Sequence, residues 1–163
     1  MRTVLLLALV ACVSPTAAAD PAPAQNRMRP ACAEAKGPVL VAVDRIKTGA
    51  QGSPDQKQTA TLFDDGAWSM TDTAGGKPES GCVPDADFKR VKAELAQATW
   101  QIAHAKFRCM LMSLVRTEYS VEGKLVWTAK VCSGETLDKA SATAISDVDA
   151  VVQKLDPNRQ KLN

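Results

Sequence analysis

The chain has little of several residue types on which enzymes, metal sites and nucleic-acid-binding surfaces depend. Among its 163 residues there is a single histidine, His104, and aromatic residues make up only 4%. Lys and Arg number 20 against 18 for Asp and Glu, so the formal net charge is only +2. A near-neutral chain without a clustered basic face lacks the electrostatic signature of a nucleic-acid-binding protein. We therefore predict no nucleic-acid partner.

Recognisable catalytic and cofactor motifs are also missing. No serine stands in a Gly-x-Ser-x-Gly elbow, no phosphate-binding glycine loop occurs, and no two cysteines form a Cys-x-x-Cys pair. One histidine leaves no Cys/His spacing typical of zinc. The sequence thus predicts no metal site, no cofactor and no enzymatic activity. The enzymatic alternative is a small hydrolase in which His104 is the base and Asp85 or Asp87 completes a triad.

The N-terminus is predicted to be a cleavable export signal. Met1-Arg2 gives a minimal basic start, and an almost wholly apolar run follows over residues 3–13. This run falls short of the ~20 residues that a bilayer-spanning helix needs. Ala17-Ala18-Ala19 before Asp20 has the Ala-x-Ala form that signal peptidase accepts. We expect residues 1–19 to be removed and the mature chain to be extracytoplasmic, either periplasmic or secreted.

A second processing site competes with this one. Leu9-Val10-Ala11-Cys12 resembles a bacterial lipobox, in which the cysteine becomes the lipidated first residue, and the Ala/Pro-rich stretch behind it would form a tether. Because Cys12 lies very close to the N-terminus and one basic residue precedes the apolar run, cleavage after Ala19 is favoured. An outer-envelope lipoprotein is the alternative. No other apolar run is long enough to cross a membrane, so we predict membrane association only if Cys12 is lipidated.

Either route leaves four cysteines for the mature chain: Cys32, Cys82, Cys109 and Cys132. An even number of cysteines in an oxidising compartment predicts two disulfides. Four cysteines permit three pairings, and the sequence does not fix which one forms. Cys32–Cys82 with Cys109–Cys132 is slightly favoured because it joins neighbouring elements.

Two hairpins and one further strand are predicted. Residues 38–46 are rich in β-branched side chains and indicate the first strand. Asp64-Asp65-Gly66 lies between extended segments over 59–63 and 67–71, a strong hairpin signal. Glu122-Gly123 joins a long extended segment from Cys109 to a return strand over 124–132. Placing Val121 opposite Lys124 would set Cys132 against Ser113, so a Cys109–Cys132 disulfide then requires a bulge or a bend.

Two amphipathic helices are predicted from apolar residues at helical spacing. The first stripe is Phe88, Val91, Leu95 and Ala98, and the second is Ile145, Val148, Val152 and Leu155. The first helix is expected to start with Asp85 or Asp87 as its cap and to run through Trp100. The second is expected from Ser141 to about Leu155, before Pro157. Residues 73–81 are interpreted as a loop, and residues 101–107 are left open.

These elements predict an α+β fold: an antiparallel sheet of about five strands, with both helices packed on one face. A single domain over residues 38–156 would follow a flexible Ala/Pro-rich leader over 20–37 and precede a short tail over 157–163. Trp68, Trp100 and Trp127 are interpreted as packing residues rather than a sugar-stacking platform. Asp64 and Asp65 are interpreted as turn residues rather than a catalytic or calcium-binding carboxylate pair.

The function indicated is that of an exported, disulfide-stabilised binding or accessory protein. Its partner would be an extracytoplasmic protein, on which it would act, for instance, as an inhibitor or an accessory subunit. The absence of a catalytic set favours this hypothesis, and disulfides that stiffen a small scaffold reduce the ordering cost of binding. A structural envelope lipoprotein and the His104 hydrolase are the alternatives.

Overall fold

A computed structural model describes residues 37–49, 53–104, 114–130 and 133–155. These ranges form eight strands and two helices. The strands are β1 (Val39–Lys47), β2 (Gln56–Phe63), β3 (Ala67–Asp72), β4 (Glu79–Cys82), β5 (Ile102–His104), β6 (Val115–Val121), β7 (Lys124–Lys130) and β8 (Glu135–Leu137). The helices are α1 (Asp85–Gln97) and α2 (Lys139–Leu155).

The main sheet has six strands in the order β4-β3-β2-β1-β6-β7, and every neighbouring pair is antiparallel. The predicted α+β class, with an antiparallel sheet and two helices, is confirmed. The strand count is larger than predicted, because part of the expected loop over 73–81 forms β4. β5 and β8 pair with each other in a separate two-stranded ribbon.

Strand β4 forms although its sequence, Glu-Ser-Gly-Cys, contains no β-branched or aromatic residue. Its pairing with β3 places Gly81 opposite Trp68. A Cβ atom at Gly81 would lie 2.9 Å from Trp68 Nε1, closer than packed atoms approach. Glycine therefore lets the indole lie across the strand, and this long-range contact explains why the local pattern failed to predict β4.

The β6–β7 hairpin confirms the predicted pairing of Val121 with Lys124. A register shift between Tyr119 and Ser120 follows, so that Tyr119 pairs with Trp127 while Ser120 pairs with Leu125. Successive strand residues face opposite sides of a sheet, so a regular strand would place Leu125 and Trp127 on one face, and the shift separates them. Leu125 is 56% exposed, whereas Trp127 packs against the core.

Helix α1 begins at Asp85, but neither predicted aspartate caps it. Pro84 occupies the cap position with φ −54° and ψ 139°, and no side chain accepts a cap hydrogen bond. Asp85 and Asp87 instead lie in the first turn, where negative charge interacts favourably with the helix dipole. The helix ends at Gln97, three residues before the predicted end at Trp100.

The core lies between one face of the sheet and both helices. The predicted apolar stripes supply it, with Phe88, Val91 and Leu95 buried on α1 and Val148 and Val152 buried on α2. The helices run antiparallel, as shown by the contact of the first turn of α1 with the last turn of α2. Lys154 Nζ lies 2.9 Å from Asp87 Oδ2, and Arg90 Nε lies 3.2 Å from Asp147 Oδ2. Because the Arg90 and Lys154 side chains are exposed, we expect these pairs to contribute little to stability.

A hydrogen-bonded junction ties the end of α1 to the start of α2. The backbone N–H of Trp100, a residue with φ 56°, donates to Ser141 Oγ at 2.8 Å. Ser141 Oγ donates to Asp138 Oδ2 at 2.6 Å, and the Ser141 N–H donates to Asp138 Oδ1 at 3.1 Å. The Gln101 N–H donates to Asp138 Oδ2 at 3.0 Å. Asp138 thus caps α2 and fixes the chain that leaves α1.

We expect Ser141→Ala to lower the free energy of unfolding by about 1–3 kcal/mol, because it leaves the Trp100 N–H without its acceptor in a buried place. Ser141 itself is fully buried. Ser146→Ala is the matched control on the exposed side of α2 and should change stability by less than about 0.5 kcal/mol. Urea denaturation of both variants checks this. Equal midpoints would show that the junction contributes nothing to stability.

The same junction predicts a specific loss of stability in acid. Hydrogen bonds from the side chain and the backbone N–H of Ser141, and from Gln101, hold the pKa of Asp138 well below its usual range. A depressed folded-state pKa gives stability that is present above the unfolded value of about 3.9 and is lost as the pH falls below it. The melting temperature of the wild type should therefore exceed that of Asp138→Asn at pH 7, and the gap should narrow below about pH 4. A constant gap across this range would contradict the assignment.

Neither α1 nor α2, the helices of the described ranges, has the length and apolar composition that a bilayer crossing requires. The predicted signal, the leader up to residue 36, and Cys12, Cys32, Cys109 and Cys132 lie outside the described residues, as does the predicted tail. Of the four predicted disulfide cysteines only Cys82 is described, half-buried on β4. No disulfide is shown within the described ranges, and the pairing stays a prediction.

Candidate binding groove

An open groove of about 590 Å³ lies at the end of the sheet where β1 begins and where both hairpins turn. This size falls within the range of ligand-binding clefts. We call it the end groove. It is lined by Pro38, Val39, Leu40, Asp64, Lys92, Leu95, Ala96, Val121, Glu122 and Gly123. Its walls come from β1, from α1 and from the turns after β2 and β6.

Backbone hydrogen bonds fasten both turns to the first residues of β1. The Asp64 N–H donates to the Pro38 carbonyl at 2.9 Å, and the Glu122 N–H donates to the Leu40 carbonyl at 3.0 Å. Both bonds join atoms of the main chain, so they hold the turns in place whatever the side chains do. The end groove is therefore formed by the fold itself and is largely shaped before any ligand arrives.

Helix α1 closes one side of the end groove with its second half. Leu95 is buried beneath the groove, and Ala96 is exposed beside it. Lys92 Nζ lies 2.5 Å from Asp64 Oδ1, so an ion pair bridges the helix and the β2–β3 turn. Lys92 also lies 5.9 Å from the centre of the Phe88 ring. One rim of the groove thus carries an ion pair with no net charge.

The opposite rim carries a carboxylate on the tight turn between β6 and β7. Glu122 has φ 49° and Gly123 has φ 78°, the left-handed pair that a two-residue hairpin turn needs. Both residues are exposed. Within the described ranges no ion pair or side-chain hydrogen bond reaches Glu122, although Lys124 follows two residues later.

An apolar floor with charged rims can bind a ligand. The described groove residues include no histidine, cysteine or serine that could act as base or nucleophile. No family model, curated protein or solved structure matches this chain.

The structure places His104 away from the aspartates with which the sequence grouped it. His104 ends β5 with a side chain that is 73% exposed, and its Nδ1 lies 3.6 Å from Glu135 Oε1 on β8. Asp87 instead binds Arg90 and Lys154, and Asp85 begins α1. The carboxylate beside His104 is thus one that the sequence did not suggest, because β5 and β8 pair over a long separation.

The aspartates of the first hairpin each have separate structural partners. Asp65 accepts hydrogen bonds from the Gly37 and Ala67 N–H groups at 3.2 and 3.0 Å. Asp72 accepts from Gln58 Nε2 at 3.0 Å and from the Ala74 N–H at 2.7 Å. These contacts fit the turn interpretation. Trp68, Trp100 and Trp127 all pack against the single core, as the packing interpretation predicts.

The two turns that line the end groove are predicted by the sequence, but the groove itself is not. Asp64 and Glu122 were both predicted to lie in tight turns. Nothing local shows that these turns lie at the same end of the sheet, because that depends on the pairing of β1 with both β2 and β6. Leu95 belongs to the predicted helical stripe, but the stripe does not show that Leu95 and the exposed Ala96 form a wall of the groove.

Proposed function

We propose that this chain is an exported, disulfide-stabilised, non-catalytic binding protein and that the end groove holds part of an extracytoplasmic protein partner. The carrying observation is an open cleft of about 590 Å³ with an apolar floor between charged rims. Such a cleft suits a protein segment whose apolar side chain is buried while its polar groups stay at the rim. Inhibition of the partner and an accessory role are both compatible with this mode of binding.

The packing of the groove walls supports a role in binding. The floor belongs to β1, a central strand of the sheet, and to α1, which packs on the core. A partner that enters a preformed cleft does not have to order it, so more of the contact energy appears as affinity. The two predicted disulfides would add to this effect by stiffening the scaffold.

Site-specific photo-crosslinking tests the proposal in the organism's own extracytoplasmic fraction. A photoreactive phenylalanine analogue is placed at Ala96, at the end groove, or at Ala86, an exposed alanine elsewhere on α1. We expect one protein, identified by mass spectrometry, to be crosslinked from position 96 and not from position 86. Equal products from both positions, or none from position 96, would contradict the proposed site.

The contact between His104 and Glu135 keeps the hydrolase as a second candidate, because a carboxylate can orient an imidazole base. Its nucleophile and substrate site would have to lie beside a side chain that is 73% exposed, where water is not excluded from the reacting groups. We expect His104→Ala to leave the partner affinity unchanged and to remove no hydrolytic activity from the purified chain. Loss of a measured hydrolysis rate in this variant would favour the enzyme over the binding protein.

The lipoprotein alternative is decided by the mass of the mature N-terminus. We expect intact-mass analysis of the exported chain to show an unmodified N-terminus at Asp20, since the Ala-x-Ala sequence precedes it. A diacylated or triacylated Cys12 would instead assign the chain to the envelope membrane. The end groove could serve a partner in either case, so this measurement tests location alone.

A further inference from the structure

We infer that the partner presents to the end groove a segment in which an apolar side chain lies within two residues of a lysine or arginine. This inference rests on the proposed function and names the chemistry of the partner at that same site. The apolar side chain would lie between β1 and α1. The cation would reach the carboxylate of Glu122.

The apolar part follows from what the end groove leaves exposed. Val39 is 36% exposed at the start of β1, although it stands in a strand whose next residues, Leu40 and Val41, are buried. Val121, half-buried at the end of β6, faces the same space. Contact with an aliphatic side chain would remove this apolar surface from water, which is the main favourable term in association.

The cationic part follows from the balance of charge at the two rims. Asp64 is neutralised by Lys92 at 2.5 Å. Glu122 has no such partner among the described residues, and its turn is held to the floor by the bond from its N–H to the Leu40 carbonyl. The lining residues therefore carry one uncompensated negative charge, on a turn whose backbone is held in place. A lysine or arginine would complement it, whereas an acidic segment would be repelled.

Three synthetic peptides serve as probes in an NMR titration of the isotope-labelled mature chain. They are acetyl-Gly-Leu-Gly-Lys-Gly-amide, the same peptide with Gln for Lys, and the same peptide with Ser for Leu. We expect the Leu/Lys peptide to shift the amides of Val39, Leu95, Val121 and Glu122 most. The Gln peptide should bind about two- to fivefold more weakly, the range for an exposed ion pair. Glu122→Gln should abolish this difference, while the control Glu79→Gln, exposed on β4, should preserve it.

The outcomes separate this inference from the proposed function. Groove shifts that are equal for the Lys and Gln peptides would overturn the cation requirement and leave the groove as a binding site. Shifts spread over the surface, with none concentrated at the groove, would overturn both. Arg27 and Arg29 are cations of the chain's own leader. If changing both to Gln shifts the amide signals of the groove residues without any peptide, the groove is occupied by the leader. Groove shifts on dilution would assign it to a second copy, and either result overturns the inferred partner.

Discussion

Phe88→Ala is expected to lower the free energy of unfolding by about 3–5 kcal/mol, the usual cost of removing a buried aromatic ring. Phe88 is 8% exposed and lies in the core cluster of α1. Its ring also lies against Gly66, where a Cβ atom would be 3.6 Å away. The substitution therefore leaves a cavity between α1 and the β2–β3 turn that carries Asp64. Urea denaturation followed by circular dichroism measures the effect.

Lys89→Ala is the matched control for this cavity, because Lys89 is the next residue of α1 and is exposed. We expect it to change stability by less than about 0.5 kcal/mol. Since Phe88 supports one wall of the end groove, Phe88→Ala should also weaken partner binding under conditions where the chain remains folded. A loss of less than about 1 kcal/mol for Phe88→Ala would mean that α1 does not pack on the turn as described.

We expect the second large contribution to the free energy of unfolding to come from the predicted disulfides. Cys82→Ser should lower the free energy of unfolding of the mature chain by about 2–5 kcal/mol, as loss of a native disulfide does in small exported domains. The predicted partner is Cys32, and the contacts of the described residues near Cys82 are compatible with that prediction. Cys82 is the β4 partner of Ala67, whose N–H bonds to Asp65, and Asp65 also binds the Gly37 N–H. The chain from Cys32 to Gly37 spans at most about 17 Å.

Peptide mapping without reduction checks the pairing directly. We expect two linked pairs, Cys32 with Cys82 and Cys109 with Cys132, and no thiol that reacts with an alkylating reagent before reduction. Dithiothreitol should then lower the free energy of unfolding of the wild type more than that of Cys82→Ser, because only the second disulfide remains to be reduced in the variant. Alkylation of all four cysteines in the native exported chain would contradict both the disulfides and the oxidising location.

The parts of the fold that could be predicted are those with local signals. The two tight turns require left-handed backbone at residues such as Gly66 and Gly123, and the sequence shows this directly. The helical stripe of Phe88, Val91 and Leu95 is likewise visible from spacing alone. In contrast, β4 depends on the fit of Trp68 over Gly81, and the β5–β8 ribbon joins segments far apart in sequence. Such contacts leave no periodic pattern.

The end groove could not be predicted from the sequence for a related reason. Its residues come from four separate places in the chain, and they meet because β1 pairs with β2 on one side and with β6 on the other. The Asp64–Lys92 ion pair joins a turn to a helix that the sequence treats as independent elements. His104 is the single histidine of the chain, and its neighbour Glu135 is set by the pairing of β5 with β8 and not by a sequence motif.

The affinity of the crosslinked partner for Ala96→Trp tests the central claim most directly. Tryptophan at position 96 would occupy the end groove with little effect on α1, because Ala96 is exposed. Ala86→Trp adds the same side chain to the same helix away from the groove. We predict that Ala96→Trp raises the dissociation constant of the purified partner at least about tenfold, a loss of ~1.4 kcal/mol or more, while Ala86→Trp binds like the wild type. Wild-type affinity in Ala96→Trp would contradict the end groove as the binding site.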